Sequence, residues 1–310
     1  MTKINTKTLI IINPAAGNGT AGQKRHEIDA LAEKFFNEHQ TVVTDGPGRA
    51  ADYARRALEA RVAKVICVGG DGTLNEVVNG LMSVKMEKKR RSKLGYLPVG
   101  TGSDLARTMG ITENLENGLR NIANKQGKWV DVGRATFVGH DGETKRRYFL
   151  NVLSFALGGE VADRVNKSSK SMGGFLSFLW PTLTTLFSYE KPRIRLKVDD
   201  KIDEKFVCWH VAIANGQYHG GGMRVAPDAK VDDGSLRVMV VGDLSLPEVL
   251  LNLPNLYNGN IYSVNKVNKF SGKKIEAGSR ERILIDLDGE QPGRLPVRAE
   301  IMPLALWMIY

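Results

Sequence analysis

The chain has 310 residues, 42% of them hydrophobic, so it can bury a core without disulfide or metal staples. At ~150 residues per domain the length predicts about two domains. Lys and Arg outnumber Asp and Glu by 44 to 34, and the net charge of +10 suits an anionic partner (phosphate, nucleic acid or an acidic membrane surface) without choosing among them. The two cysteines, Cys67 and Cys208, both sit in apolar runs. That excludes a disulfide framework and a cysteine-rich zinc site, and fits a reducing compartment. No signal peptide is visible after Met1. The uncharged stretch 171–189 contains Gly173, Gly174, Pro181 and six Ser/Thr, which is too polar for a membrane span. The expectation is a soluble, cytoplasmic protein.

In chain order, Thr8–Ile12 is a continuous apolar run of the kind buried on both faces of a sheet. A glycine-rich turn and a helix over 23–37 follow, then a strand at 41–44, a helix over 50–61, a strand at 64–68, a helix over 74–82 and a strand at 94–99. This alternation predicts a parallel sheet covered by helices, an α/β fold. From Trp129 the pattern changes to short strands: 129–138 and 147–157 around the hairpin signal Asp141-Gly142, then 193–198, 205–214, 235–241, 267–276 and 282–287. This half predicts antiparallel β, a sandwich or a barrel. The domains are read as 1–128 and 129–295, with 296–310 a C-terminal strand docking onto the body. The basic run 85–93 reads as a solvated loop.

Three glycine-rich turns carry the chemistry. Gly17-Asn18-Gly19-Thr20-Ala21-Gly22 fits a dinucleotide fingerprint, with Asp45 further along. It also fits a phosphate-cradling loop or a plain turn before a helix. Gly69-Gly70-Asp71-Gly72-Thr73 ends an apolar strand, the place where open α/β sheets bind ligands, and Asp71 there could meet a metal–phosphate group. The alternative is a turn followed by a Thr73/Glu76 capping box. The third turn, Gly100-Thr101-Gly102-Ser103-Asp104, offers Thr101 to a phosphate and Ser103 or Asp104 as a helix cap.

Ile12–Gly19 (INPAAGNG), Gly69–Asn79 (GGDGTLNEVVN), Pro98–Arg107 (PVGTGSDLAR), Asp232–Leu236 and Asp288-Gly289-Glu290, in that order, resemble the diacylglycerol kinase catalytic-domain family and its soluble bacterial lipid kinases. The resemblance covers essentially the whole chain. It implies a Rossmann-like three-layer ATP-binding domain and a β-sandwich domain, with an active cleft between them. It further implies that Asn13, Pro14, Ala15, Ala16, Gly17, Thr44, Gly69, Gly70, Asp71, Gly72, Thr73, Leu74, Asn75 and Thr101 hold ATP. Asp233 would ligate Mg²⁺ with the carbonyls of Lys230 and Ser235, and Glu290 would accept the proton, with Asp288 beside it. Asp71 joins Glu290 and Asp288 in the catalytic set. Where the family usually has Asn before the Asp of the third turn, this chain has Ser103. The implied activity is ATP- and Mg²⁺-dependent phosphorylation of diacylglycerol or a related long-chain lipid alcohol. The partner is a lipid substrate met peripherally at the inner face of the membrane, without nucleic acid, and a homodimer is left open. A non-catalytic nucleotide- or lipid-binding relative and an NAD kinase-like enzyme with a soluble substrate are the alternatives.

The residues themselves also speak for Asp288 and Glu290. Two apart on an extended strand, both carboxylates would face one side, with no side chain on Gly289 between them. A hydroxyl attacking a γ-phosphoryl group needs such a proton acceptor. The other reading is an ordinary Asp-Gly turn, with Asp286 and Asp288 on a solvated strand face. Asp232-Asp233-Gly234 likewise reads as a hairpin entry or an oxygen-ligand site. His26, His39, His140, His210 and His219 show no zinc spacing, and His219 reads as a loop residue beside Gly220–Gly222. Positions 172, 175, 176, 179, 183, 186 and 187 form an amphipathic stripe, with Phe178 and Trp180 off it and Lys167, Lys170, Lys191 and Arg193 flanking it. It reads as a core helix or as a segment dipping into the bilayer interface.

Overall fold

The computed structural model describes residues 4–85, 87, 91–100, 102–167 and 189–310. Two compact units emerge: Met1–Val130 with Leu304–Tyr310, and Asp131–Pro303.

In the first unit, β1 (Thr8–Ile12), α1 (Thr20–Gln23), α2 (Arg25–Phe35), β2 (His39–Val43), α3 (Arg49–Glu59), β3 (Lys64–Gly69), α4 (Asp71–Ser83), β4 (Lys93–Pro98), α5 (Asp104–Met109) and α6 (Leu115–Asn124) follow in order. The strands form a parallel sheet in the order β2-β1-β3-β4. The closing segment adds to it, with Met308 and Ile309 parallel to Leu94 and Gly95. All five residues of β1 are buried, as the unbroken apolar run predicts for a two-sided sheet. Alternate side chains go to opposite faces. Ile10, Ile12, Ile66, Val68 and Leu97 pack with Ile28 and Ala32 of α2 and Leu115, Leu119 and Ile122 of α6. Helices α3 and α4 pack on each other at Gly80, where an added Cβ would lie 2.2 Å from the Ala51 carbonyl oxygen. Burial of each large aliphatic side chain stabilises the unit by roughly 1.5–3 kcal/mol. The three-layer expectation is met.

The second unit is built almost entirely of antiparallel strands: β5 (Lys128–Gly139, which begins in the first unit), β6 (Thr144–Phe149), β7 (Val152–Ala156), β8 (Arg193–Val198), β9 (Ile202–Val207), β10 (His210–Ala214), β11 (Leu236–Val241), β12 (Val267–Gly272), β13 (Lys274–Gly278), β14 (Leu284–Leu287) and β15 (Glu290–Ile309, which ends in the first unit). Among the described residues, helices α7 (Leu157–Lys167) and α8 (Leu246–Asn258) interrupt them. One layer runs β12-β11-β10-β7-β14-β15, and the other joins β9-β8-β13-β15 with β5 and β6. Strand β15 serves both: residues 290–294 pair with β14 and 297–300 with β13. Phe137, Phe149, Phe155, Leu196, Ile213, Val238 and Ile285 fill the interior between the layers. Of the two readings, sandwich or barrel, the sandwich is found.

Three segments read as single strands are each broken in two. The first breaks at Leu150-Asn151, the second at Cys208-Trp209 and the third at Lys273. Helix α8 was not anticipated, although Ser245 and Glu248 form a reciprocal capping box at its start. Thr101, the stripe at 172–187 and part of the basic run 85–93 lie outside the described residues.

Candidate functional site

In the first unit the three glycine turns lie at the carboxyl ends of neighbouring strands β1, β3 and β4, and direct bonds tie the first two together. Asn13 N–H donates to the Val68 carbonyl at 3.1 Å, and Asn13 Nδ2 donates to Thr73 Oγ1 at 2.8 Å. Asn13 Oδ1 in turn accepts the Ala15 N–H at 3.1 Å, which shapes the Asn13–Gly17 loop as an Asx turn. Thr44 is buried, and its N–H donates to Ile12 at 2.9 Å. Gly69 and Gly100 are needed by the protein itself. A Cβ on Gly69 would lie 2.7 Å from Thr73, and one on Gly100 would lie 2.8 Å from the Gly70 Cα. At Gly69 the missing side chain leaves room for Thr73 of the same turn, and at Gly100 for Gly70 of the neighbouring turn.

Thr73 and Glu76 do not form the capping box. Helix α4 has no side-chain cap. Thr73 receives Asn13, and Glu76 reaches across to α3, accepting from the N–H groups of Gly48 at 2.8 Å and Ala50 at 3.1 Å. Asp71 turns toward α5. Its Oδ2 accepts from Asp104 N–H at 3.1 Å and its Oδ1 from Leu105 N–H at 3.4 Å. Its charge therefore sits at the positive end of that helix. Ser103 occupies the N-cap position in left-handed backbone, φ 51°, but its side chain makes no cap bond. Asp104 is buried and pairs with Arg107 at 3.0 Å. The Cys67 thiol, buried beneath these turns, is pushed up by desolvation and by Glu76 and Asp71, so it stays protonated.

In the second unit Asp288 and Glu290 do not share a strand face. Leu287 pairs with Glu290, so Asp288-Gly289 is a two-residue hairpin turn with φ 50° and 90°. Asp-Gly is one of the pairs such turns favour. The Asp288 carboxylate points inward and accepts three main-chain N–H groups, from Leu150 at 2.9 Å, Asn151 at 3.1 Å and Val152 at 2.9 Å. These donors come from the break between β6 and β7 and from the first residue of β7. Glu290 is exposed. Asp286 is not on a solvated face either, being 2% exposed. Asp233 accepts from Ser235 N–H at 3.0 Å and from Arg237 Nη2 at 2.5 Å. Asp131, fully buried and not anticipated, takes the Gly234 N–H at 2.7 Å and so fixes the turn beside Asp233. No group of three His, Cys, Asp or Glu is arranged as a metal cluster among the described residues.

Comparison with known proteins agrees with this arrangement. The diacylglycerol kinase catalytic domain matches residues 7–135, and the YegS C-terminal NAD kinase beta sandwich-like domain matches residues 151–310. The chain is 31% identical over 298 residues to a protein of Chromohalobacter salexigens described as "probable lipid kinase YegS-like", covering 93% of this chain and 90% of that one. The chain belongs to the diacylglycerol kinase and YegS-like lipid kinase family. A diacylglycerol kinase of Bacillus subtilis is 26% identical across 93% of this family member and 90% of its own length. A crystal structure of a diacylglycerol kinase from Bacillus anthracis superposes with a TM-score of 0.71 at 26% identity, covering 99% and 98% of the two chains. An NAD kinase from Archaeoglobus fulgidus solved with ATP shares only the fold, with a TM-score of 0.50 at 12% identity over 98% and 92%.

Sequence reading of this kinase missed Asp131 and the pairing of His219 with Asp286, and it considered Asp286 only as a residue of a solvated face. Only Asp286 had a local signal, the alternation Asp286, Asp288, Glu290. The others depend on which strands become neighbours.

Proposed function

We propose that the protein transfers the γ-phosphoryl group of ATP to the hydroxyl of diacylglycerol or a related long-chain lipid alcohol, with Glu290 taking the hydroxyl proton. The carrying observation is the exposed Glu290 carboxylate at the end of a hairpin turn whose Asp288 is held by three main-chain N–H groups. As the hydroxyl oxygen bonds to the γ-phosphorus, its proton passes to Glu290. The bond from the γ-phosphorus to the bridging oxygen breaks, and ADP leaves with the electron pair. Main-chain N–H groups of the three glycine turns would hold the phosphates. Mg²⁺ bound with the nucleotide would spread the charge on the transferring group.

A second, structural Mg²⁺ would use the Asp233 carboxylate and the carbonyls of Lys230 and Ser235. These are hard oxygen donors of the type Mg²⁺ takes, and the ion would replace Arg237 on Asp233 Oδ2. Approach to a membrane is supported by a cavity of about 1140 Å³ on the sandwich, lined by six Lys and Arg side chains and by Glu276 and Glu281, with Arg195 and Lys197 also paired to Asp203 and Arg298 to Glu300. Such a face attracts anionic headgroups in a salt-dependent way.

The test is an ATP-consumption assay on vesicles carrying a panel of lipid alcohols, with NAD in the absence of lipid as the rival substrate. Transfer to a lipid hydroxyl is expected. Phosphorylation of NAD without lipid, or ATP binding with no turnover on any lipid, would refute the proposal. Glu290→Gln is expected to lower kcat about 10²-fold or more with ATP affinity little changed.

A further inference from the structure

The hairpin turn before Glu290 is braced from a loop far away in sequence. Asp286 divides its carboxylate between them. Oδ1 accepts the Gly289 N–H at 2.9 Å, while Oδ2 accepts Ser154 Oγ at 3.3 Å and lies 3.1 Å from His219 Nε2. His219 is itself mostly buried, 9% exposed. It is carried by a tight loop in which Gly220, Gly221 and Gly222 all have positive φ, at 62°, 82° and 111°. His219 and Met223 exchange main-chain bonds at 2.8 and 3.0 Å and close that loop.

A second link runs between the same two elements. Asn151 Nδ2 donates to the Tyr218 carbonyl at 2.7 Å, and Asn151 N–H donates to Asp288 at 3.1 Å. The glycine loop therefore reaches both aspartates that flank Leu287. The His210 ring stacks on His219, 6.4 Å between centroids, and is held neutral down to about pH 3 by burial and by His219. It therefore places no competing charge beside the pair.

A two-residue turn containing a glycine at φ 90° is soft by itself, because glycine has many backbone conformations open to it. A carboxylate fixed on the Gly289 N–H removes that freedom, and an imidazole fixed on the carboxylate stops it from rotating away. We infer that His219 is a positioning residue that acts through Asp286 on the Gly289 N–H and so sets the direction in which Glu290 leaves the turn. The inference rests on the reading of Glu290 as proton acceptor.

The experiment compares His219→Leu, His219→Gln and Asp286→Asn on diacylglycerol-containing vesicles with ATP, with hydrogen exchange of the Gly289 amide measured in parallel. His219→Leu should lower kcat about 10- to 100-fold, the scale of a misplaced reacting group, with KM for ATP unchanged. It should also speed Gly289 exchange. His219→Gln keeps an N–H able to reach Asp286 and should restore most of both. The double variant His219→Leu/Asp286→Asn should be no worse than the worse single one, since both act through one contact.

Native kcat with native Gly289 exchange in His219→Leu overturns the inference. So does a fall in kcat that leaves Gly289 exchange untouched. If His219→Leu does not fold, Asp286→Asn and His219→Gln decide on the same two readouts. A Glu290→Gln enzyme with native kcat would remove the proton-acceptor reading alone, and Gly289 exchange in the His219 variants would still judge the bracing.

Discussion

Both units place an Asp-Gly pair at the end of a buried strand, Asp71-Gly72 after β3 and Asp288-Gly289 after β14, and they use it differently. Asp71 begins a helix, and its carboxylate accepts two N–H groups at the start of another, at 3.1 and 3.4 Å. Asp288 sits in left-handed backbone in a hairpin and accepts three N–H groups between 2.9 and 3.1 Å, with only 8% of its surface exposed. In the α/β unit the acid takes two first-turn N–H groups that a helix cannot bond internally. In the β unit the acid takes the N–H groups at the strand break Leu150-Asn151 and that of Val152, the first residue of β7. The same Asp-Gly pair thus serves the start of a helix in one unit and a break between strands in the other.

The largest expected effect follows from that difference. Asp288→Ala leaves three buried N–H groups without an acceptor, at about 1–3 kcal/mol each before relaxation, and should cost on the order of 3–5 kcal/mol. Urea unfolding measures it, and a loss below about 1 kcal/mol would erase the contrast. Next comes acid sensitivity of the β unit. His210 is held at about 3 against 6.5 for the free side chain, by burial first and by His219 second. The unfolded chain binds this proton as pH falls below 6.5 and the folded chain does not. Stability should therefore decline from there toward pH 3, by at most about 1.4 kcal/mol per pH unit, with no contribution at higher pH. His210→Gln should flatten that part of the pH profile.

Asp71→Ala removes two bonds from the start of α5 and should cost about 1–2 kcal/mol, whatever it does to catalysis. A variant as stable as the parent would mean that the carboxylate does not cap α5. The smallest effect is a gain. Ser103 holds φ 51°, and its buried Oγ has no hydrogen-bond partner among the described residues. Ser103→Gly should raise stability by about 0.5–1 kcal/mol in thermal unfolding, because glycine adopts this backbone without strain.

Legibility followed the range of the interactions. The parallel sheet was readable because each buried strand is one uninterrupted apolar run and each turn carries its own glycines. The sandwich strands were readable as a class, but three runs were joined across breaks at Leu150-Asn151, Cys208-Trp209 and Lys273. Strand-like composition runs on to either side of a break, and only pairing partners show where a ladder ends. The box at Thr73 and Glu76 had the right spacing for a local cap, yet both side chains found distant partners, Asn13 and the start of α3. Helix α8 had a real capping box that went unread, because the surrounding pattern pointed to strands.

The sequence by itself determined the fold class, the order of the glycine turns and the candidate acids, because strand burial, turn conformation and helix starts depend on residues a few positions apart. Tertiary structure decided what each acid does. Asp288 and Asp71 are bound by N–H groups 136–138 and 33–34 positions away, and Asp286 meets His219 on a separate loop. A carboxylate buried from water must take whatever donors the fold brings to it, and which donors those are depends on strand pairing and packing that no short stretch of sequence contains.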